Sequence, residues 1–302
     1  MSAEFAFIDR LRALATHPAA RALDDDAAVL KLGGEMLILT HDSIAEGVHV
    51  RIDTDAADVA WKLIATNLSD LAAKGAKPLG VLTSHALGDD AWDAAFAEGL
   101  RAVLDRYDVP LLGGDTIRLP EGATRVFGCT AIGRATSDPV PARSGARDGD
   151  ALWVAGSIGD ALAGFTLLEA GGADDGPLTS AYLRPRPLLA EGQALAPLAS
   201  AMMDVSDGLL IDAARLAKAS GLAVTIDMAT IPVSDAARAV LRGREDELLR
   251  WGDDYALLFA APANCEPPVP AARIGMMVDG QPGTVRLDGA VLDPDAIGGY
   301  RH

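Results

Sequence analysis

Six aspartates stand where apolar runs give way to Gly-, Ser- or Asn-marked junctions, and most of those junctions have no other evident reason to carry charge. They are Asp26 in Asp24-Asp25-Asp26-Ala27-Ala28-Val29, Asp42 in Leu39-Thr40-His41-Asp42, and Asp70 in Asn67-Leu68-Ser69-Asp70. The others are Asp115 in Gly113-Gly114-Asp115-Thr116, and Asp204 with Asp207 in Met203-Asp204-Val205-Ser206-Asp207-Gly208. The junctions carry no arginine or lysine to match each carboxylate. Oxygen donors of this kind suit a hard divalent cation such as Mg²⁺, whose shell is usually completed by substrate phosphates. The expectation is Mg²⁺-dependent phosphoryl transfer.

Half of the 302 residues are apolar, enough to fill one large or two medium cores. A formal charge of −17 repels nucleic acid and anionic lipid, so neither is expected as a partner. A phosphate-bearing ligand would need bound cations to approach. Cys129 and Cys265 make neither a metal-ligand spacing nor a disulfide framework, which fits a reduced, cytoplasmic compartment. The segment Met1-Ser2-Ala3-Glu4-Phe5 lacks the basic, apolar and small-residue progression of a signal peptide. The longest apolar stretch, Ala151 to Leu168, is broken by Asp160 and several glycines, so no membrane span is expected.

Phe5, Ile8, Leu11 and Leu14 recur at helical spacing and predict a short opening helix. Met36 to Thr40 reads as a buried strand that delivers Asp42 at its end. A helix is expected over Ala57 to Lys74, with Ala60, Leu63, Ile64, Leu68 and Leu71 on one side, Gly75 just past its end and Pro78 beyond. Asn67, Asp70 and Lys74 form a polar line on it that, taken alone, reads as a solvated face. A helix over Ala91 to Tyr107, a strand from Val109 to Leu112 running into Gly113-Gly114-Asp115-Thr116, and a strand from Arg125 to Ile132 follow.

This order suggests an α/β fold of α+β-type layers: an N-terminal mixed-sheet domain (1–137), then a C-terminal α/β domain (138–302). The Pro-, Gly-, Ser- and Arg-rich stretch Ala135 to Asp150 is the expected linker. In the second half, strands are expected at Ala151–Ala155, Ala201–Met203, Ala223–Asp227, Tyr255–Ala261 and Arg273–Met277. Helices are expected at Asp160–Glu169, from Pro187 to Leu198 and at Gly208–Ala219, with a hairpin turn at Asp288-Gly289.

At the strand-to-helix junction, either Asp204 or Asp207 is placed to cap the helix while the other faces a ligand. Ser206 sits where a helix N-terminus receives a phosphate. Gly113-Gly114 would let backbone approach a phosphate closely, although Gly-Gly-Asp-Thr alone is also a plain turn. No Gly-x-x-x-x-Gly-Lys-Ser/Thr loop and no protein-kinase Gly-rich loop occurs, so any nucleotide needs a different cradle. His17, His41, His49, His85 and His302 form no cluster, and no Gly-x-Ser-x-Gly elbow is present, so neither zinc nor serine-hydrolase chemistry is expected. Arg143 reads either as a solvated linker residue or as a clamp on a polyphosphate.

Taken together, these segments resemble the thiamine-monophosphate kinases, of the superfamily that includes aminoimidazole ribonucleotide synthetase and selenophosphate synthetase. The resemblance runs in family order through Asp25-Asp26-Ala27-Ala28-Val29-Leu30, Thr40-His41-Asp42 with Glu46-Gly47-Val48-His49, and Asn67 to Ala76. It continues through Gly113-Gly114-Asp115-Thr116, Arg143-Ser144-Gly145, Arg184-Pro185-Arg186-Pro187, Asp204 to Leu209 and Gly252-Asp253-Asp254-Tyr255. It implies ATP-dependent phosphorylation of thiamine monophosphate to thiamine diphosphate, on a homodimer whose N-terminal domains join their sheets. By position, Asp26, Thr40, His41 through its main chain, Asp42, Asp70, Asp115, Asp204 and Asp207 would hold several Mg²⁺ ions. Gly114, Asp115, Arg143 and Ser206 would contact ATP, and His49 and Asp253 the thiamine substrate. No residue is assigned as a general base, because the acceptor is a phosphate oxygen already ionised near neutral pH.

Three positions depart from the family pattern. Asp24 replaces a glycine, Asp253 replaces a glutamate, and in the ending Gly299-Tyr300-Arg301-His302 the aromatic expected just upstream is Ile297, leaving Tyr300 as the candidate for stacking on thiamine. Another ATP-using synthetase of the superfamily and a non-catalytic binding paralogue are the alternatives. Both cysteines lie beyond residue 128, outside the N-terminal segment where selenophosphate synthetases carry a reactive one.

Overall fold

The computed structural model describes residues 3–172, 175–293 and 297–300; Arg301 and His302 of the family-like ending lie outside them. The first sheet comprises β1 (Ala28–Leu32), β2 (Glu35–Ala45), β3 (Ala76–Ala86), β4 (Leu111–Ile117) and β5 (Val126–Ala135), in the order β1-β2-β5-β3-β4. Its helices are α1 (Ala3–Arg12), α2 (Ala56–Ala73) and α3 (Asp90–Tyr107). Only β3 and β4 are parallel, so the sheet is mixed.

The second sheet comprises β6 (Ala151–Ala155), β7 (Ala201–Asp204), β8 (Ala223–Ile226), β9 (Leu257–Ala261), β10 (Ala272–Val278), β11 (Val285–Leu287) and β12 (Ala290–Val291). Its order is β12-β11-β8-β10-β6-β9-β7. Around it lie α4 (Asp160–Glu169), α5 (Pro177–Leu183), α6 (Leu189–Leu195), α7 (Leu209–Ala219), α8 (Asp235–Val240) and α9 (Glu245–Leu248). The expected turn joins β11 to β12 with Asp288 at φ 50° and Gly289 at φ 84°, the two left-handed residues that a two-residue hairpin of this twist requires.

Helix α2 lies at the centre. Asp55 caps it through a hydrogen bond from the Ala57 amide, and Gly75 leaves it at φ 58°. Leu63, Ile64, Leu68 and Leu71 fill the core under the first sheet, while Ala72 and Ala73 pack with Met202, Leu257 and Phe259 of the second. Because both layers cover it, the polar line is not a solvated face: Asn67 and Lys74 are fully buried and Asp70 is 9% exposed. A buried polar side chain is costly unless it is partnered, so each must contact another polar group.

Four further expectations are corrected. Strand β2 runs on to Ala45, so Asp42 stands in the strand interior, paired in register with Cys129, and not at a strand end. Gly113-Gly114-Asp115-Thr116 is not a turn but part of β4, where a Cβ on Gly114 would lie 2.0 Å from the Thr83 carbonyl oxygen. That glycine admits the neighbouring strand. Strand β3 carries its own bulge at Pro78–Gly80, in a segment whose sequence marks only the stop after a helix. The opening helix ends at Arg12, and Leu14 is 77% exposed beyond it.

Candidate active site

A cleft of about 700 Å³ opens between the two sheets, and the strand ends and helix faces that line it account for most of the expected residues. Strand alternation places Thr40 and Asp42 on one side of β2 and His41 on the other. Asp42 lines the cleft, whereas the His41 imidazole bonds Thr130 at 2.8 Å on the opposite side. Thr40 is buried and donates its hydroxyl to Asp70. Asn67 accepts the Asp42 amide at 3.0 Å, and Ser69 donates to Asp204 at 2.6 Å. Helix α2 thus braces the carboxylates arriving from both sheets.

These acids divide by charge compensation. Burial opposes ionisation of Asp26, but Arg143 and Lys74 outweigh it and hold its carboxyl at about 2. The same ion pair holds the partly buried Arg143 guanidinium above its ordinary value, against the opposing effect of desolvation. Arg143 is therefore no freely solvated linker residue. Asp42, Asp70 and Asp204, by contrast, form no ion pair with lysine or arginine among the described residues. Burial, then repulsion from Asp42, Asp204 and Asp26, pushes Asp70 well above the usual carboxylate range. Burial and the Asp26 charge push Asp204 up to about 8, against the Ser69 hydrogen bond. Asp42 is also raised, by burial first and then by Asp207 and Asp26, with His41 opposing.

Two further acids, Asp207 in the loop after β7 and Asp212 in the first turn of α7, lie beside Asp204. Asp207 pairs with Arg215, and the fully buried Asp212 accepts the amides of Ser206 and Asp207 at 3.2 and 3.0 Å. Neither Asp204 nor Asp207 caps α7, whose N-terminal Gly208 has no side-chain cap. Asp212 takes those amides instead, although the sequence marks it only as an acid in a first helical turn.

Among the described residues, no three or more carboxylates, imidazoles or thiols are grouped so that they could hold a metal ion by themselves. Mg²⁺ keeps several waters and takes one or two carboxylates together with substrate phosphates, so an open, uncompensated trio fits it. Asp42, Asp70 and Asp204 offer carboxylate oxygens, of which Mg²⁺ would take one or two beside water and substrate phosphate.

A second group of lining residues is aromatic. Phe165 stands 5.3 Å from Tyr182 and 5.0 Å from Trp251 between ring centroids, and Tyr300 stands 5.8 Å from His49. Lys62, 1% exposed, places its ammonium 2.8 Å from Asp253, 3.1 Å from the His49 carbonyl oxygen and 4.0 Å from the centre of the Tyr182 ring. Tyr255 donates to the other Asp253 oxygen at 2.9 Å. Ile297, where an aromatic was expected, is buried in the core of the second sheet, while Tyr300 lines the cleft.

The AIR synthase related protein N-terminal domain matches residues 24–135, and its C-terminal domain matches residues 147–288. Thiamine-monophosphate kinase of Escherichia coli O157:H7 is 39% identical over 254 residues, 80% of this chain and 76% of that protein. Thiamine-monophosphate kinase of Caulobacter vibrioides is 35% identical over 317 residues, 98% of this chain and 90% of that protein. The chain belongs to the thiamine-monophosphate kinase family. A solved structure described as "AaThiL complexed with AMPPCP and TMP" superposes with a TM-score of 0.89 at 29% identity, covering 99% of this chain and 96% of that one.

For this member of the thiamine-monophosphate kinase family, the expected site residues fall into two sets. Asp26, Asp42, Asp70, Arg143, Asp204, Ser206, Asp207, His49 and Asp253 line the one cleft, with Thr40 directly behind Asp70. Gly114 and Asp115 do not line it: they lie on β4, every residue of which is exposed. Motif spacing did not single out Lys62, Phe165, Tyr182 or Trp251. Lys62, Thr66 and Asp70 recur every four residues on α2, a spacing that places them on one helix face and that the 67-70-74 line obscured.

Proposed function

We propose that this protein transfers the γ-phosphoryl group of ATP to the phosphate of thiamine monophosphate, with Mg²⁺ held by Asp42, Asp70 and Asp204. The observation that carries this reading is the uncompensated carboxylate trio, Asp70 and Asp204 buried and Asp42 open to the cleft, beside an aromatic-lined recess of the same cleft. A bond forms between a phosphate oxygen of thiamine monophosphate and the γ-phosphorus, and the bond from γ-phosphorus to the β–γ bridging oxygen breaks to leave ADP. Bound Mg²⁺ would neutralise the phosphates, whose approach is otherwise opposed by about 4 kcal/mol for each like-charge pair at ~4 Å and an effective dielectric near 20.

The chain's own groups position and screen. Arg143 lies at the cleft beside Asp26, where a guanidinium can turn towards polyphosphate, and Ser206 lines the same cleft from the loop before α7. Asp253, held by Lys62 and Tyr255, would face the thiamine, and His49 and Tyr300, with rings 5.8 Å apart at the cleft, would flank its ring. Absence of a general base is in keeping with an acceptor oxygen that is already ionised.

Gly114 and Asp115 can act on ATP only across a subunit boundary, so the proposal includes a homodimer. Strand β4 is an open sheet edge with Leu111, Leu112 and Ile117 each about half exposed, and such an edge favours pairing with a second copy. No described helix is long and apolar enough to cross a membrane, and the free Cys129 and Cys265 support a cytoplasmic location. The proposed division into units 1–137 and 138–302 follows the two sheets.

A single-turnover experiment with ATP, Mg²⁺ and thiamine monophosphate tests the reading. Thiamine diphosphate formed in proportion to enzyme supports it. Binding of both substrates without product would identify a non-catalytic paralogue, and ATP cleavage that leaves thiamine monophosphate unchanged would identify a different synthetase.

A further inference from the structure

Lys74 is the C-cap residue of α2, one helical turn beyond Asp70, and is fully buried. Its ammonium lies 2.5 Å from Asp25 Oδ1, 2.6 Å from Asp26 Oδ2 and 3.1 Å from the Met202 carbonyl oxygen. A lysine ammonium has three donors: two are used in hydrogen bonds to Asp25 and the Met202 carbonyl oxygen, while Asp26 Oδ2 lies at ion-pair distance and accepts no hydrogen bond among the described residues. Asp25 also pairs with Arg21, and Asp26 with Arg143. The Asp25 and Asp26 side chains are 4% and 1% exposed, and burying carboxylate charge is costly unless a cation faces it.

We propose that the Lys74 ammonium is a built-in cation of the active centre, filling the anionic notch between Asp25 and Asp26 so that the cleft assembles with one divalent ion fewer than its carboxylates would otherwise require. The inference rests on the reading of the cleft as a metal and phosphate site and concerns how much of its positive charge the chain itself supplies. Helix α2 presents both solutions on successive turns: Asp70, which stands uncompensated beside Asp42 and Asp204, and Lys74, which compensates its neighbours permanently. A fixed ammonium needs no recruitment from solution and cannot be removed by chelation. It also orients Asp26, whose other oxygen is left to Arg143.

The test uses the full chain and Mn²⁺ as the probe, counted by electron paramagnetic resonance with and without AMPPCP. Lys74→Met removes the charge from an unbranched side chain, and Lys74→Arg retains it. The Met variant should bind one more Mn²⁺ per chain than the wild type, show a lower Tm in chelator, and recover that Tm when Mn²⁺ is added. The Arg variant should keep the wild-type count. Equal counts in the wild type and the Met variant would overturn the proposal, and so would a Met variant that stays unfolded in excess Mn²⁺, because a divalent ion would then be unable to take the ammonium's place. A wild type that binds no Mn²⁺ even with AMPPCP would defeat the functional reading itself, a separate outcome.

Discussion

The Ser69 hydroxyl lies 2.6 Å from Asp204 Oδ2, so a residue on the central helix of the first layer holds a carboxylate at the end of a strand in the second. A hydrogen bond to a charged group contributes about 1.5–3 kcal/mol, roughly a tenfold to hundredfold factor. Ser69→Ala should lower kcat/KM by that factor at subsaturating Mg²⁺ and by less at high Mg²⁺. Steady-state kinetics at several Mg²⁺ concentrations check this, and a uniform loss at every concentration would contradict it.

Asp70 is held at a cost to the fold, since burial and three neighbouring carboxylates oppose its ionisation. Replacing Asp70 by Asn should raise the Tm of the metal-free protein while cutting turnover by about a thousandfold or more, about 4 kcal/mol of transition-state stabilisation. Differential scanning calorimetry and a product assay on the same sample measure both. Unchanged turnover would remove Asp70 from the proposed metal ligands.

Stability should also depend on pH in a direction set by Asp204. Its folded-state pKa of about 8 is raised above the unfolded value, so its contribution is fully present below the ordinary carboxylate range and is lost as pH rises towards 8. The metal-free protein should therefore lose stability across that window. Mg²⁺ competes with the proton, so the Tm increase from saturating Mg²⁺ should be larger at pH 8.5 than at pH 6. A Mg²⁺ effect independent of pH would count against Asp204 as a ligand.

Asp254 gives a second pH test, away from the proposed metal. Its Oδ1 accepts the Gly159 amide at 2.9 Å, while its buried Oδ2 has no hydrogen-bond partner among the described residues, and burial pushes its carboxyl well above the usual range. A carboxyl raised in this way stabilises the fold while it is protonated at low pH, and that contribution is lost as pH rises through its folded-state value. Asp254→Asn should gain Tm relative to the wild type at pH 8 more than at pH 5. Melting curves at the two pH values decide it.

Tyr300, which lines the cleft, is the proposed stand-in for the aromatic that Ile297 does not supply. An aromatic contact of this kind contributes about 0.5–1.5 kcal/mol, so Tyr300→Ala should raise KM for thiamine monophosphate by up to about tenfold and leave KM for ATP unchanged. Initial-rate kinetics with each substrate varied in turn would show the split.

Much of this architecture was legible locally. The helix at α2, the break after β7 and the Asp288-Gly289 hairpin follow from periodicity, Gly at φ > 0 and turn chemistry, all properties of neighbouring residues. Strand β3 escaped because Pro78 and Gly80, which end helices and mark turns, here sit at a bulge that only its pairing with β5 explains. The bound of β2 escaped similarly: Thr40, His41 and Asp42 look like a strand running out, yet β5 pairs with them to Ala45.

By itself, the sequence determined which side chains bring negative charge to the site, because residue type and spacing set the supply of carboxylates. Tertiary structure alone decided which of them are already neutralised. Lys74 meets Asp25 from 49 residues away and Arg143 meets Asp26 from 117, while Asp70 finds only other acids and a hydroxyl. The physical reason is that Coulomb energy depends on distance and burial in space, neither of which chain spacing encodes once two sheets close on one helix.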